Sequence, residues 1–387
     1  MENKKKGNGL RFAIGAALLA LAVGSVVIGL ILAKKLTADK DPKEQLFAAV
    51  KNTLEDDPAM KILTSGEYCI AFDGKYIDGE SGKYAAEGTF SCKDSGRLLD
   101  AEADLPKKPK IEVTAELSED TLKVAVPSFD SHTFLYSYKD PDKGILGQLI
   151  KAIDFDGLDA VVNSVFQLSM SAKADEALVQ AMTEQAKTFD VKETEEVNMT
   201  YQGKAVKAKS FAVSISADAA VNGMNLVLDE LEKRGVDVEK TVQAVGKGTF
   251  DREQTEQNIR DAKDLQVTVY VANDRVIGLQ TQSDGRTFTV TATSEQEYKI
   301  ETVREQAGEN EPKKVTVTAH RSMTESGVKY ELDSLSTDLE PEVDADLCVE
   351  ISDRAVWKEF SGEEMNLSDM KASDLMQLLP VIMGGFE

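Results

Sequence analysis

The sequence predicts an α+β protein in which an N-terminal transmembrane helix precedes a large antiparallel sheet interrupted by helical intervals. Three observations predict it. Phe12 to Ala33 is a run of twenty-two residues without a charge, long enough at about 1.5 Å per residue to cross a hydrocarbon core of about 30 Å. Most of the remaining chain alternates apolar and polar residues with period two, the mark of half-buried strands. Between these stretches the period changes to that of amphipathic helices.

The apolar run is flanked by Lys4, Lys5, Lys6 and Arg11 before it and Lys34 and Lys35 after it. A cleaved secretory signal also has a basic start and an apolar core. That core usually ends within about 15 residues at a small-x-small site, and Leu36-Thr37-Ala38 is a poor match. No cysteine near the run could take a lipid. The boundaries expected are a basic cytoplasmic tail over 1–11, the span over 12–33, a stalk over 34–44 and one large extracytoplasmic domain over 45–387. Four basic residues on the N-terminal side against Lys34, Lys35 and Lys40 on the other orient the tail toward the cytoplasm. Ala16, Ala20 and Gly24 form a small-xxx-small row, which serves either helix pairing or as lipid-facing filler.

The formal charge of the 387-residue chain is -23, although its first 35 residues are basic. An acidic bulk of this kind repels nucleic acid, whose binding needs a basic patch. Three cysteines, Cys69, Cys92 and Cys348, are too few for a disulfide scaffold. A Cys69–Cys92 bridge across the turn near Asp78 to Gly82 conflicts with side-chain parity: Cys69 lies opposite to Tyr68, Ile70 and Phe72, whereas Cys92 shares the parity of Phe90, Ala86 and Tyr84. The cysteine and histidine spacing holds no zinc pattern, and no cofactor motif is present.

Taken in order, Gln45 to Leu54 sets Leu46, Ala49, Val50 and Leu54 on one helical face, which either docks on a sheet or lies on lipid. Strands are expected around Tyr68–Phe72, Ile111–Leu117, Leu122–Val126 and Phe134–Tyr138, joined by connections too short for crossover helices. Helical period returns from Gly144 to Phe189. A strand pair at Val197–Tyr201 and Phe211–Ile215 turns near Gln202-Gly203, and a helix follows through Val221, Met224, Leu228 and Leu231. Val267 to Thr293 reads as three strands with turns at Asn273-Asp274 and Asp284-Gly285. Val315–Ala319, Val328–Leu332 and Leu347–Ile351 complete the sheet, with a charged loop over 305–314.

This layout, with the strand-turn-strand run from Val269 to Val276, resembles extracytoplasmic proteins of the LolA/LppX lipoprotein-like class and anchored proteins of Gram-positive bacteria. The resemblance implies a curved, half-barrel-like sheet that cradles helices and, in several members, holds a lipid or another apolar ligand between the layers. The lipobox cysteine of those lipoproteins is missing here, and a helix anchor stands in its place.

Catalytic signals are sparse. His132 shares parity with Phe134 and Tyr136, and His320 with Thr316 and Thr318; neither is accompanied by a nucleophile elbow, a zinc-protease motif or a P-loop. Asp154-Phe155-Asp156-Gly157-Leu158-Asp159 places its glycine too early for a calcium loop and has Val165 where the closing glutamate belongs. The expectation is therefore a binding module, not an enzyme. Its candidate ligand-binding residues are Met365, Met370, Leu375, Met376, Leu379 and Met383, because methionine-rich apolar ends conform to irregular partners. They close the sheet as a final helix, cover an apolar pocket, or serve as a docking peptide for a membrane partner. The expected partners are the membrane through Phe12–Ala33 and a lipid or other hydrophobic ligand. The alternative is a structural or protein-interaction component of the envelope with a protein partner and no ligand pocket.

Overall fold

A computed structural model describes residues 41–137, 176–304 and 313–370, apart from 64, 79–81, 94–95, 107–108, 119, 129, 234, 246–249, 262–263, 284–285 and 338–342. Phe12–Ala33, the helical interval from Gly144 through Asp154–Asp159 to Phe166, and everything after Met370 lie outside the described residues. None of the described helices is long and apolar enough to cross a membrane.

In chain order, the helices α1 (Pro42–Glu55) and α2 (Pro58–Leu63) precede strands β1 (Tyr68–Asp78), β2 (Gly82–Lys93), β3 (Gly96–Asp104), β4 (Ile111–Leu117), β5 (Thr121–Ala125) and β6 (Thr133–Ser137). Then come α3 (Glu176–Ala186), β7 (Asp190–Glu193), β8 (Val197–Tyr201), β9 (Lys204–Ile215) and the helices α4 (Ala217–Lys233), α5 (Val238–Val245) and α6 (Arg252–Asp261). Strands β10 (Leu265–Ala272), β11 (Arg275–Ser283), β12 (Arg286–Ala292), β13 (Glu297–Arg304), β14 (Lys313–Met323), β15 (Gly327–Thr337), β16 (Val343–Ser352) and β17 (Glu364–Asn366) finish the chain, with a 3-10 turn at Leu367–Asp369. The described residues form two compact units, each assembled from separated stretches of the chain.

The first unit holds α1, α3, α4, α6 and strands β7 to β12. Strands β7 and β8 both pair with β9, one after the other, and β9, β10, β11 and β12 continue as an antiparallel meander. Its hairpin turns use residues that tolerate positive φ, Gln202 (53°) with Gly203 (67°) and Asn273 (52°) with Asp274 (57°), which matches the twist of the paired strands. Helix α1 starts at Asp41, whose side chain accepts from the Lys43 N–H. Of the two fates open to its apolar face, docking is the one realised. Leu46, Phe47 and Ala49 share a core with Phe189, Phe211, Val213 and Val271, and the Val276 N–H donates to Thr53 Oγ1 at 2.9 Å. The sheet it docks on is built more than a hundred residues further along the chain.

The second unit holds α2, α5 and the other eleven strands. Strands β13, β14, β15, β16, β1, β2, β3, β4, β5 and β6 are hydrogen-bonded in that order, all antiparallel. The antiparallel expectation needs one correction: β17 pairs parallel with β6, because the chain crosses the sheet before adding its last strand. The pairing of β1 with β16 places strands from the two ends of the described chain side by side. Helix α2 packs on β15 and β16.

Candidate functional site

In an antiparallel ladder, directly opposed residues project from the same face, so the register of the second unit resolves its sheet into rows. On one face the first row is Tyr68, Cys92, Arg97, Leu117, Leu122 and Tyr136. All of these except Leu122 are buried. The Arg97 guanidinium is satisfied in part by main-chain carbonyls, donating to Gly96 O at 2.7 Å and to Lys93 O. Burial, followed by the neighbouring Cys92 thiol, pushes the Tyr68 phenol up to about 12.

The second row is Ile351, Ile70, Phe90, Leu99, Ala115 and Val124, extended by Phe134 and then Met365. Every member is apolar and half-buried. The third row is Val349, Phe72, Gly88, Ala101 and Val113, and the fourth is Leu347, Gly74, Ala86, Ala103 and Ile111. Burial falls away along this direction, so that Ala86 is exposed and Leu347 is 48% exposed. The middle of these two rows is made of small residues, Gly74, Ala86, Gly88, Ala101 and Ala103, with Phe72 and Val349 on one side and Val113 and Ile111 on the other. Gly88 is required there by close backbone approach, since a Cβ would sit 2.4 Å from Asp100 O and 2.8 Å from Ala101 Cβ. The apolar face is thus closed at one end and open at the other.

The opposite face is polar over much of its extent, with Cys69, Leu98 and Ala125 buried on it. Asp73, Glu87, Glu102 and Glu112 stand directly opposed across β1 to β4. Glu87 is held above the usual carboxylate range by its hydrogen bond with Glu102 and by that group's charge, whereas the Lys110 ammonium paired with Glu102 holds the latter low. The chain between β16 and β17 crosses this face as a strap. The Val356 N–H donates to Ser91 Oγ at 3.0 Å, and Lys93 lies 3.9 Å over the Trp357 ring. Lys358 Nζ donates to Asp100 Oδ1 at 2.8 Å, and the Thr133 N–H donates to Glu363 O at 3.0 Å. Strap and sheet enclose a groove of about 600 Å³ lined by Asp73, Glu87, Asp100, Glu102, Glu112 and Phe360, among others. Among the described residues no three metal-binding side chains converge.

Of the ligand-binding candidates from the sequence, Met365 extends the second apolar row beside Phe134, and Met370 is buried. Leu375, Met376, Leu379 and Met383 lie outside the described residues. His132 Nδ1 lies 2.6 Å from Asp130 Oδ1. Burial pushes the Asp130 carboxyl up, but the His132 N–H and ring outweigh it and hold the group low. His320 stands opposite Glu331 and Glu297. Cys69 faces Ser91 and Cys92 faces Tyr68, so the two thiols point to different faces and are not joined in a disulfide, as parity requires. The small residues of the third and fourth rows were not singled out in the sequence; alanine and glycine carry little periodic signal, and only the register aligns them.

No protein-family model and no curated protein matches this chain. Among solved structures it is similar to a LolA superfamily protein from Nitrosomonas europaea, with 9% identity over 79% of this chain and 94% of that one, at a TM-score of 0.21. It is also similar to a putative outer membrane lipoprotein-sorting protein domain from Vibrio parahaemolyticus, with 7% identity over 76% of this chain and 94% of that one, at a TM-score of 0.18. The first of these is of the class that the layout resembles.

Proposed function

We propose that this chain is a membrane-tethered module, held outside the cytoplasm by Phe12–Ala33, that binds a lipid or another hydrophobic ligand without catalysing a reaction on it. The observation that carries the reading is the burial gradient on the apolar face. Binding sites for apolar ligands are mostly apolar and few per protein, and we read the small residues Gly74, Ala86, Gly88, Ala101 and Ala103 as the floor of a trough that takes one. The ligand lies along the third and fourth rows; Met365 extends the second row of the same face, and Met370, Leu375, Met376, Leu379 and Met383, which follow it in the sequence, remain the further candidates for contact with it. Methionine suits that contact because its flexible thioether conforms to chains of varied shape.

A second reading, in which the same open rows dock an envelope protein, is favoured by the exposure of Leu347, since exposed apolar surface also marks protein contacts. Native mass spectrometry of the full chain released from membranes separates the two. Ligand binding predicts a co-purified lipid that is lost in Ala86→Trp, whose indole fills the trough; a chain that emerges empty favours the docking reading. Protease added to intact cells tests the tether, which requires digestion of the bulk of the chain before lysis.

A further inference from the structure

We infer that residues 354–360, the middle of the strap, swing off the polar face while the sheet stays folded, and that the Lys358 ammonium is the latch that holds them shut over the groove. The inference concerns the face opposite the apolar rows and stands apart from the ligand reading.

The strap is pinned at its ends through its main chain. Where β16 finishes, the Asp353 N–H donates to Ser326 O at 2.9 Å, and where β17 begins, the Glu363 carbonyl accepts from the Thr133 N–H at 3.0 Å. The hydroxyl of Thr133, a fully buried residue, adds a bond to Ser361 O at 3.3 Å, and Lys123 pairs with Glu364. Between these anchors, no main-chain-to-main-chain hydrogen bond is found among the described residues.

Side chains hold the middle instead. Ser91 Oγ accepts from the Val356 N–H, Lys93 covers the Trp357 ring, and Lys123 lies 4.9 Å over the Phe360 ring. Lys358 Nζ donates to both carboxylate oxygens of Asp100, at 2.8 and 3.0 Å, and the Thr114 hydroxyl, donating to Oδ1 at 2.8 Å, fixes that carboxylate in place. The outer side of the strap is bare, with Val356 54% exposed. Exposed ion pairs and cation–π contacts are individually weak. The strands beneath are tied by a continuous ladder from Ala85–Asp104 to Lys93–Gly96. A segment with few buried apolar contacts opens at a free energy well below that of the ladder it lies on, so the strap comes away first.

Lys358 is the latch because of what surrounds it. Asp73, Glu87, Glu102 and Glu112 line the same groove as Asp100, and their summed field draws the ammonium inward. Closed, the strap caps the groove of about 600 Å³ and its ammonium neutralises one of these carboxylates. Open, it exposes the row and Asp100 to the medium, so entry to the groove is set by the strap.

The test is hydrogen exchange on the full chain in amphipol, read at single-amide resolution by mass spectrometry. The Val356 N–H should exchange at least about a hundredfold faster than the amides of the β2–β3 ladder. Lys358→Met should speed it by up to about fivefold, the scale of an exposed ion pair, with the ladder unchanged, whereas Lys358→Arg should keep the parent rate. Raising sodium chloride from about 0.05 M to about 0.5 M should speed Val356 in the parent and not in Lys358→Met, because salt screens exposed pairs. Exchange of Val356 in step with the ladder overturns the inference, since the strap would then leave only when the sheet unfolds. A parent rate in Lys358→Met overturns it too, as does a ladder that speeds up as much as Val356. Lys75→Met removes a lysine of the same face that pairs with Asp346 instead; an acceleration of Val356 equal to that of Lys358→Met would make the effect one of net charge and overturn the latch.

Discussion

Leu347 and Leu117 lie at opposite ends of the same apolar face, and truncating each to alanine should produce opposite phenotypes. Leu347 is 48% exposed and Leu117 is 6% exposed. Fully burying a leucine side chain contributes roughly 1.5–3 kcal/mol, so a ligand that covers the free half of Leu347 gains about 1 kcal/mol there. Leu347→Ala should therefore weaken oleate binding by about fivefold while folding stability changes by less than about 1 kcal/mol. Leu117 has little surface left to offer a ligand. Leu117→Ala should leave a cavity beneath the covered row and cost about 2–5 kcal/mol of stability, with little direct effect on affinity in the fraction that remains folded. Urea denaturation and oleate titration of the full chain in amphipol measure both quantities on each variant. If Leu347→Ala loses stability as Leu117→Ala does, or binds oleate as tightly as the parent protein, the face is not open where the burial gradient places its opening.

Two further outcomes follow from the polar face. Gly362 has φ +120°, and a Cβ there would stand 2.2 Å from Ser131 O, so Gly362→Ala should cost on the order of 1–3 kcal/mol and loosen the strap; the fluorescence of Trp357, the chain's single tryptophan, should shift to the red, and an unchanged spectrum would count against the strap's role in shielding it. Glu87 has a folded pKa raised by Glu102, so the stability it brings is complete below the ordinary glutamate range and is lost as pH rises through the raised value. Glu102 is lowered, first by Lys110, so its contribution is present above that range and is lost as pH falls through the lowered value. Glu87→Gln removes the opposed charge and should raise the urea midpoint at pH 7.5 but not at pH 4; a lower midpoint at pH 7.5 would contradict the sign.

Much of the sheet was legible in the sequence, because its strands carry clear alternation where the apolar residues are large. Val267–Val271, Val315–Ala319 and Val328–Leu332 all fall inside strands β10, β14 and β15. Strand β3 was missed for a physical reason: Leu99, Ala101 and Ala103 alternate with Asp100, Glu102 and Asp104, but alanine is too small to stand out against three acids. Strand β13 was missed likewise, since Tyr298 and Ile300 are separated and flanked by charges. The parallel addition of β17 and the docking of α1 on distant strands are long-range events that no local period encodes. The candidate site was legible only at its margin. Met365 was singled out for its side chain, whereas the third and fourth rows are made by the register of glycines and alanines on three strands.

The most direct measurement is site mapping with a photoactivatable diazirine fatty acid, added to the full chain in native membranes and followed by peptide sequencing. The account predicts labels concentrated on residues 84–88, 101–113 and 345–349, reduced in Ala86→Trp. Labelling confined to the strap at 356–361, or spread evenly over both faces of the sheet, would contradict it.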